Sequence, residues 1–247
     1  VLTEIERRIQ YSSGNYPFTL RNDSLILRAN DDYCFWVYCY LLIATRNNMK
    51  DNAVLAGIDG ALLFERVSLK VAENYFGDRA NSFLFGTSHP STFPNRINML
   101  IQQLGEGVQY INHNIAAPRA QDDKLDIAVW KGFRDRRTSK LIAFGQCKTG
   151  TSWDGHLSQL QPDAFCSKWF YQQPVETPVR MFFICDHFYR DAWYTKARDA
   201  GIVFDRIRIL DYLPVKLPKE VYQDLVNWTY EAINTLLLGP SSKIKAN

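Results

Sequence analysis

The stretch KLDIAVWKGFRDRRTSKLIAFGQCKTG, from Lys124 to Gly150, holds two β-type runs on either side of one charged turn. In the first run Leu125, Ile127 and Val129 alternate with Asp126, Ala128 and Trp130. The second, Leu141 to Cys147, is almost wholly apolar. A polar, basic loop between such runs predicts an antiparallel pair. Side chains alternate along a strand, so Gln146 and Lys148 share a face and Cys147 takes the other. Asp126 likewise points away from Leu125 and Ile127. Pairing the two strands therefore brings a carboxylate, an amide and an ammonium to one end of a sheet.

Upstream, Gly60 to Tyr75 repeats Leu62, Leu63, Val67, Val71, Ala72 and Tyr75 at helical spacing, with Gly77 as a stop. Gly86 to Asn95 reads as a loop, Pro94 to Leu104 as a helix ended by Gly105, and Val108 to Asn112 as a short strand. Further upstream, Tyr16 to Arg28 reads as a hairpin around Asn22-Asp23-Ser24. Tyr33 to Ala44 reads as a buried helix with Asp31 as its cap. Downstream, residues 157–172 read as helix, Val179 to Cys185 as a buried strand, and 189–200 as helix. Ile202 to Tyr212 reads as a strand region and Glu220 to Leu238 as a last helix. Interleaved helices and strands give an α/β class with a central mixed β-sheet flanked by helices. Residues 1–52 form a small leading hairpin-plus-helix element on a main domain, 53–247.

The 247 residues are 46% hydrophobic and 14% aromatic, enough for a substantial core and too rich for disorder. The formal net charge of +3 permits a nucleic-acid partner without demanding one. Five cysteines, at 34, 39, 147, 166 and 185, include no CxxC pair. They read as free thiols of a reducing compartment, consistent with a cytoplasmic protein. His89, His113, His156 and His187 lack the spacing of a zinc site. Tyr33 to Ala44 is too short to span a bilayer, so no membrane association is expected. No signal peptide is evident, and the chain opens on Val1 as a processed chain or a piece of a longer one would. No Walker motif occurs, so any ATPase would lie on another chain. The tail Lys243-Ile-Lys245 reads as a frayed end with no assigned role.

A carboxylate, an amide and a lysine suit phosphodiester hydrolysis. Magnesium prefers oxygen ligands and retains water, and a lysine can orient that water and offset transition-state charge. The Leu125-Asp126 and Gln146-Cys147-Lys148 elements resemble those of the PD-(D/E)XK nuclease superfamily, in the QXK variant found in Mrr-like restriction endonucleases. The proline that commonly precedes the aspartate is absent. The resemblance spans roughly residues 55–190. It implies a restriction-endonuclease-like core of helix, three strands, helix and strand. It also implies an Mg²⁺ site, which Mn²⁺ can share, built from Asp126, Gln146, the main-chain carbonyl of Cys147 and an upstream helical glutamate. Glu65 is the expected acid, with Glu73 and Glu106 as rivals; the segment from that helix to Asp126 is about two elements longer than the minimal layout.

The resemblance implies an endodeoxyribonuclease of anti-phage defence or restriction. DNA would be its partner, a separate ATPase or sensor subunit a further one, and a homodimer the form that cuts both strands. An RNA-cleaving member of the superfamily and a catalytically degenerate binding domain are the alternatives. Lys131, Arg134, Arg136, Arg137 and Lys140 cluster in the turn with Asp135, as either a solvated loop or a phosphate-gripping arm. Trp153 and His156 follow the second run closely; they either line the cleft or, respectively, pack and cap the next helix.

Overall fold

A computed structural model describes residues 1–28, 32–47, 49–51, 53–86, 91–113, 123–188 and 190–237. Asp31, His89 and the Lys243–Lys245 tail lie outside them. The centre is a five-stranded sheet of β5 (Ala80–Leu84), β6 (Ile127–Lys131), β7 (Leu141–Lys148), β8 (Val179–Ile184) and β9 (Ile202–Phe204), in that spatial order. The β5–β6 and β6–β7 pairs are antiparallel, and β7–β8 and β8–β9 are parallel. The sheet is therefore mixed, with β7 as the strand where the pairing sense changes.

The alternation of β6 and β7 sorts their side chains between two cores. Ile127, Val129, Ala143 and Cys147 face one core with Met181 and Phe183 of β8. Three helices cover that face: α2 (Asp32–Arg46), α3 (Gly60–Phe76) and α8 (Lys219–Leu237). Ala128, Trp130, Ile142 and Phe144 face the other core, under α4 (Phe93–Leu104) and α5 (Pro162–Trp169). A third, smaller cluster joins Phe182 and Ile184 to Trp153 and Phe188. Helix α3 starts where the Asp59 carboxylate accepts the amides of Ala61 and Leu62, at 2.8 and 3.2 Å. It stops at Gly77, whose φ of +74° suits a residue without Cβ.

The leading segment carries α1 (Leu2–Gln10) and a hairpin of β1 (Phe18–Arg21) and β2 (Ser24–Leu27), turned at Asn22-Asp23. A second, two-residue-per-strand hairpin, β3 (Val54–Leu55) and β4 (Ile58–Asp59), leads into α3. Residues on both sides of position 52 share one core: Tyr40 and Leu41 are buried with Phe64 and Trp228. Tyr40 Oη donates to Gly60 O at 2.7 Å, and Trp228 Nε1 to Ala53 O at 2.9 Å. Among the described residues no helix is long and apolar enough to cross a membrane.

Four expectations change. Residues Val108 to Asn112 are not a strand: Gly107 and Val108 have positive φ, and Tyr110 alone forms a bridge, to Phe170. The strand that follows α3 is instead β5, an edge strand whose polar Asn81 and Ser82 hide its pattern. The helix expected over 157–172 is confined to α5, because Pro162 fits only a first turn; a short 3₁₀ turn, Ser152–His156, precedes it. The helix expected over 189–200 is α6 (Trp193–Ala200), after a 3₁₀ turn at Arg190–Ala192. The region Ile202 to Tyr212 is strand only to Phe204. Asp205 then caps α7 (Arg206–Asp211) by accepting the Arg208 amide at 3.0 Å.

Gly60 packs directly on Trp228: a Cβ there would lie 2.6 Å from the indole. Because Trp228 is buried and hydrogen-bonded, it has no room to give. Gly60→Ala should destabilise the fold by about 1–3 kcal/mol in urea denaturation. Gly155→Ala, where a Cβ meets nothing within 4 Å, is the neutral control. Equal midpoints for the two variants would refute this packing account.

Candidate functional site

Strand β7 outruns β6. The last β6–β7 pair is Ile127 with Gly145, whereas β7 stays paired with β8 as far as Lys148. The Cys147 amide thus meets no β6 strand residue, and Asp126 fills the gap: its Oδ2 accepts Cys147 N at 2.6 Å. The Asp126 backbone is held on both sides. Its carbonyl accepts Phe85 N and Gly86 N at 2.8 and 3.0 Å, and its amide donates to Gly145 O at 3.0 Å. The residue is only 7% exposed. In an extended strand a residue's N–H and C=O leave on the same side. The Cys147 carbonyl therefore leaves β7 on the side of β6 as well.

Gln146 is fully buried, on the face of Phe144 and α5. Its Nε2 approaches Gln159 Oε1 at 3.4 Å, while its Oε1 has no hydrogen-bond partner among the described residues. Buried acceptors without donors are rare and costly. Lys148 leaves β7 one pleat further along the same face, half-buried, and among the described residues its ammonium forms no hydrogen bond or ion pair.

Glu65 arrives from α3, on the opposite face. Its carboxylate rests against Gly86, where a Cβ would fall 2.1 Å from Oε2. Gly86 is the residue whose amide donates to Asp126 O, and its own carbonyl accepts Arg96 Nη1 at 2.9 Å. Arg96 is 3% exposed, with its guanidinium 5.2 Å above the Phe85 ring. Burial, then the carboxylates of Asp126 and Glu65, push the Cys147 thiol well above its ordinary range. Two acids from different elements thus bear on one thiol, which stays protonated and is no ligand or nucleophile near neutrality. Asp126 sits between Glu65 on one face of the sheet and Gln146 and Lys148 on the other.

The rival acids lie elsewhere. Glu73 pairs with Lys70 at 2.8 Å and accepts from Ser82 on β5. Glu106 is buried beside Lys140 and accepts Val175 N at 2.9 Å. Trp153 is packing: it is buried against Phe188 and donates to Asp186. His156 ends a 3₁₀ turn and does not cap α5, whose N-cap is Gln161.

The basic cluster divides in two. Lys131 Nζ donates to Phe76 O at 2.8 Å, and Lys140 Nζ to Leu104 O at 2.6 Å. Each lysine thereby caps the carbonyl end of a helix, α3 and α4 respectively. Lys140 is buried, so it cannot grip phosphate. Arg134, Arg136 and Arg137 are exposed. Their loop joins the end of β6 to the start of β7, and so stands at the opposite end of the sheet from Asp126, Gln146 and Lys148. From Leu141 to Lys148 the strand runs about 23 Å.

Three further contributors are Gly86, Arg96 and Gln159, of which Arg96 and Gln159 carry no sequence signal of their own. Gly86 could have been suspected, since an isolated glycine marks close backbone approach. Among the described residues no three His, Cys, Asp or Glu side chains come together as a metal site. The oxygen donors at this end of the sheet are two carboxylates, an amide oxygen and a main-chain carbonyl, with Glu65 and Gln146 on opposite faces. Oxygen donors are the kind an Mg²⁺-like cation takes, and among the described residues Gln146 Oε1 has no hydrogen-bond donor. Comparison with known proteins gives no match: no family model, no curated protein and no solved structure.

Lys140 and Glu106 form a pair with side chains 4% and 2% exposed. Lys140→Met should strand the Glu106 charge and cost about 3–5 kcal/mol of stability. Nucleic-acid affinity measured on the folded variant should not change. A variant of parental stability would mean the pair does not support α4.

Proposed function

We propose that the chain hydrolyses phosphodiester bonds of nucleic acid, with Asp126, Gln146, Lys148 and Glu65 as its working residues. The observation that carries this is the buried Gln146 oxygen without a donor, in line with Asp126 and one pleat from a half-buried lysine that has no described partner. The element order supports it. Helix α3, antiparallel β5, β6 and β7, helix α5 and parallel β8 follow the sequence of elements that the PD-(D/E)XK resemblance implies, with α4 inserted between β5 and β6. On this reading the core is restriction-endonuclease-like and the substrate is DNA. The setting is cytoplasmic restriction or anti-phage defence, with a homodimer or a separate ATPase or sensor subunit completing the system. RNA cleavage is the variant reading, since none of these residues distinguishes a 2′-OH.

Asp126, Gln146, the Cys147 carbonyl and Glu65 would hold Mg²⁺, or Mn²⁺ in its place. When bound, the ion polarises a phosphate oxygen and lowers the pKa of coordinated water. The Lys148 ammonium orients the attacking water and offsets charge on the pentavalent phosphorus. The hydrogen bond from Cys147 N fixes the Asp126 carboxylate before substrate arrives. Gly86 leaves the space in which the Glu65 carboxylate sits.

One feature favours a second reading, a domain that binds nucleic acid or a partner protein without cutting. One Asp126 oxygen is already committed to the Cys147 amide, and among the described residues no third carboxylate joins Asp126 and Glu65.

On the nuclease reading, Gln146→Leu should fold and lose Mg²⁺-dependent plasmid cleavage, and Lys148→Ala should lose about 100-fold or more. Parental cleavage should stop in EDTA and be at least as good with Mn²⁺ as with Mg²⁺. Full activity in Gln146→Leu would sink the assignment; no cleavage by the parent under any metal would favour the second reading. Gly86→Ala should displace only the flexible end of Glu65, cutting activity with little loss of stability, and unchanged activity would remove Glu65 from the site. Neutralising Arg134, Arg136 and Arg137 together should weaken DNA binding without altering the cleavage rate at saturation. The log–log salt slope should shrink by about 0.9 for each phosphate lost. An unaltered slope would mark the loop as merely solvated.

A further inference from the structure

The chain has fifteen phenylalanines. All are buried or half-buried except Phe133, which is 62% exposed in the loop between β6 and β7. Local bonds shape the loop around it. Arg136 N donates to Phe133 O at 3.1 Å, which closes a turn with Arg134 and Asp135 at its centre. The Asp135 carboxylate then accepts Arg137 N at 3.1 Å, as an aspartate in a turn commonly does. An aromatic ring and three exposed guanidinium groups are thus presented between positions 133 and 137.

A single exposed apolar side chain is ordinary, and so is a solvated charged loop. Their coincidence in one turn is less so. Among the described residues Arg134 and Arg136 form no ion pair, and Arg137 reaches a carboxylate only at 3.9 Å, on Asp135. The guanidinium groups call for a polyanion, and the ring calls for a flat apolar partner. Nucleic acid offers both, as phosphates and as base faces. Magnitude decides between a paired and an unpaired base. One base stacked on an aromatic ring gains about fivefold to 150-fold in affinity, and unstacking a paired step costs about as much. A lone phenylalanine therefore gains little on an intact duplex, and keeps its whole stacking contribution on a base that is already unpaired.

We infer that Phe133 stacks on an unpaired base while Arg134 and Arg136 hold the flanking phosphates, so that the chain prefers nucleic acid with a single-stranded segment at this end of the sheet. The inference rests on the nuclease reading, which supplies the strand, and adds to it the form of the substrate. The loop leads into Leu141, and β7 runs from there about 23 Å to Lys148. The unpaired base therefore lies about seven nucleotides from the bond attacked.

The test is equilibrium binding of labelled oligonucleotides to the full chain in EDTA, where nothing is cut. The ligands are a blunt duplex and the same duplex with a single-stranded extension. Thermal melting confirms that each variant is folded. Phe133→Ala should weaken binding to the extended substrate about fivefold or more and leave the blunt duplex unaffected. Its salt slope should match the parent's, because no phosphate contact is lost. Phe133→Trp should keep parental affinity or better, and Phe133→Leu, apolar but not flat, should not. Parental affinity of Phe133→Ala for the extended substrate would overturn the inference. So would an equal loss on both substrates, which marks a wedge in the duplex, or a smaller salt slope, which marks displaced arginines. Phosphatidylserine vesicles are the remaining control. Loss of vesicle binding in Phe133→Ala with unchanged oligonucleotide affinity would assign the loop to a membrane surface and overturn the inference too. Cleavage with Mg²⁺ is measured separately. Phe133-sensitive binding without any cleavage would defeat the nuclease reading and leave the stacking contact standing. Cleavage with Phe133-insensitive binding would do the reverse.

Discussion

The 2.6 Å hydrogen bond from Cys147 N to Asp126 Oδ2 is the constraint from which the rest of the site follows. A carboxylate as buried as Asp126 is tolerated only when hydrogen-bonded or paired. The amide it finds exists because β7 continues along β8 after β6 has ended. The unequal strand lengths are thus not ragged packing. They open a gap in the antiparallel ladder, and the first side chain beyond β6 fills it. The Cys147 carbonyl leaves β7 on the side of β6 as well, and the pleat then fixes Gln146 and Lys148 on one face. Glu65 is added from the other face because Gly86 has no side chain to keep it out.

Besides ion pairs with carboxylates, positive charge in this chain has several uses that only geometry tells apart. Lys131 and Lys140 close the carbonyl ends of α3 and α4, where a lysine offsets the helix dipole and accounts for orphan acceptors. Arg206 is buried beneath α2, bonded to Cys185 O and Thr45. Arg134, Arg136 and Arg137 remain in solvent, about 23 Å of strand away from Lys148. That distance corresponds to about seven base pairs of B-form duplex. Contacts at that remove affect how tightly a duplex is held and not how a phosphate is attacked.

Strands with two partners were readable in the sequence because burial on both faces makes them apolar. Leu141 to Cys147 and Val179 to Cys185 stand out for that reason, and Gly60 to Tyr75 does so through its helical repeat. Strand β5 does not, because an edge strand can carry Asn81 and Ser82 at no cost, and Val108 to Asn112 has the more strand-like pattern. The segment after Ile202 reads as strand because apolar residues recur at Ile207, Ile209 and Leu210 beyond the strand; the boundary is set by the Asp205 cap, a local hydrogen bond that periodicity does not register. Residue spacing along β7 placed Gln146 and Lys148 together. It could not place the basic turn, since a loop between two strands is far from the site whenever the site is at their other ends.

The Gln146 oxygen bears on whether the site works or is a remnant. A buried acceptor without a donor costs about 1–3 kcal/mol relative to one that is satisfied. A leucine at this position would bury as well, pack against Phe144 and leave nothing unsatisfied. For a strand whose only task was to hold the sheet, the glutamine is therefore a net loss. Lys148, half-buried on the same face, has no carboxylate partner among the described residues. An amide oxygen without a described donor and a lysine without a described partner, on one face beside a buried aspartate, favour a ligand that takes both. A phosphate held beside an oxygen-seeking cation does so: the cation takes the amide oxygen and the phosphate takes the ammonium. A neutral partner surface would satisfy the amide alone and leave the lysine uncompensated, which is the physical ground for preferring phosphodiester chemistry over a purely binding role.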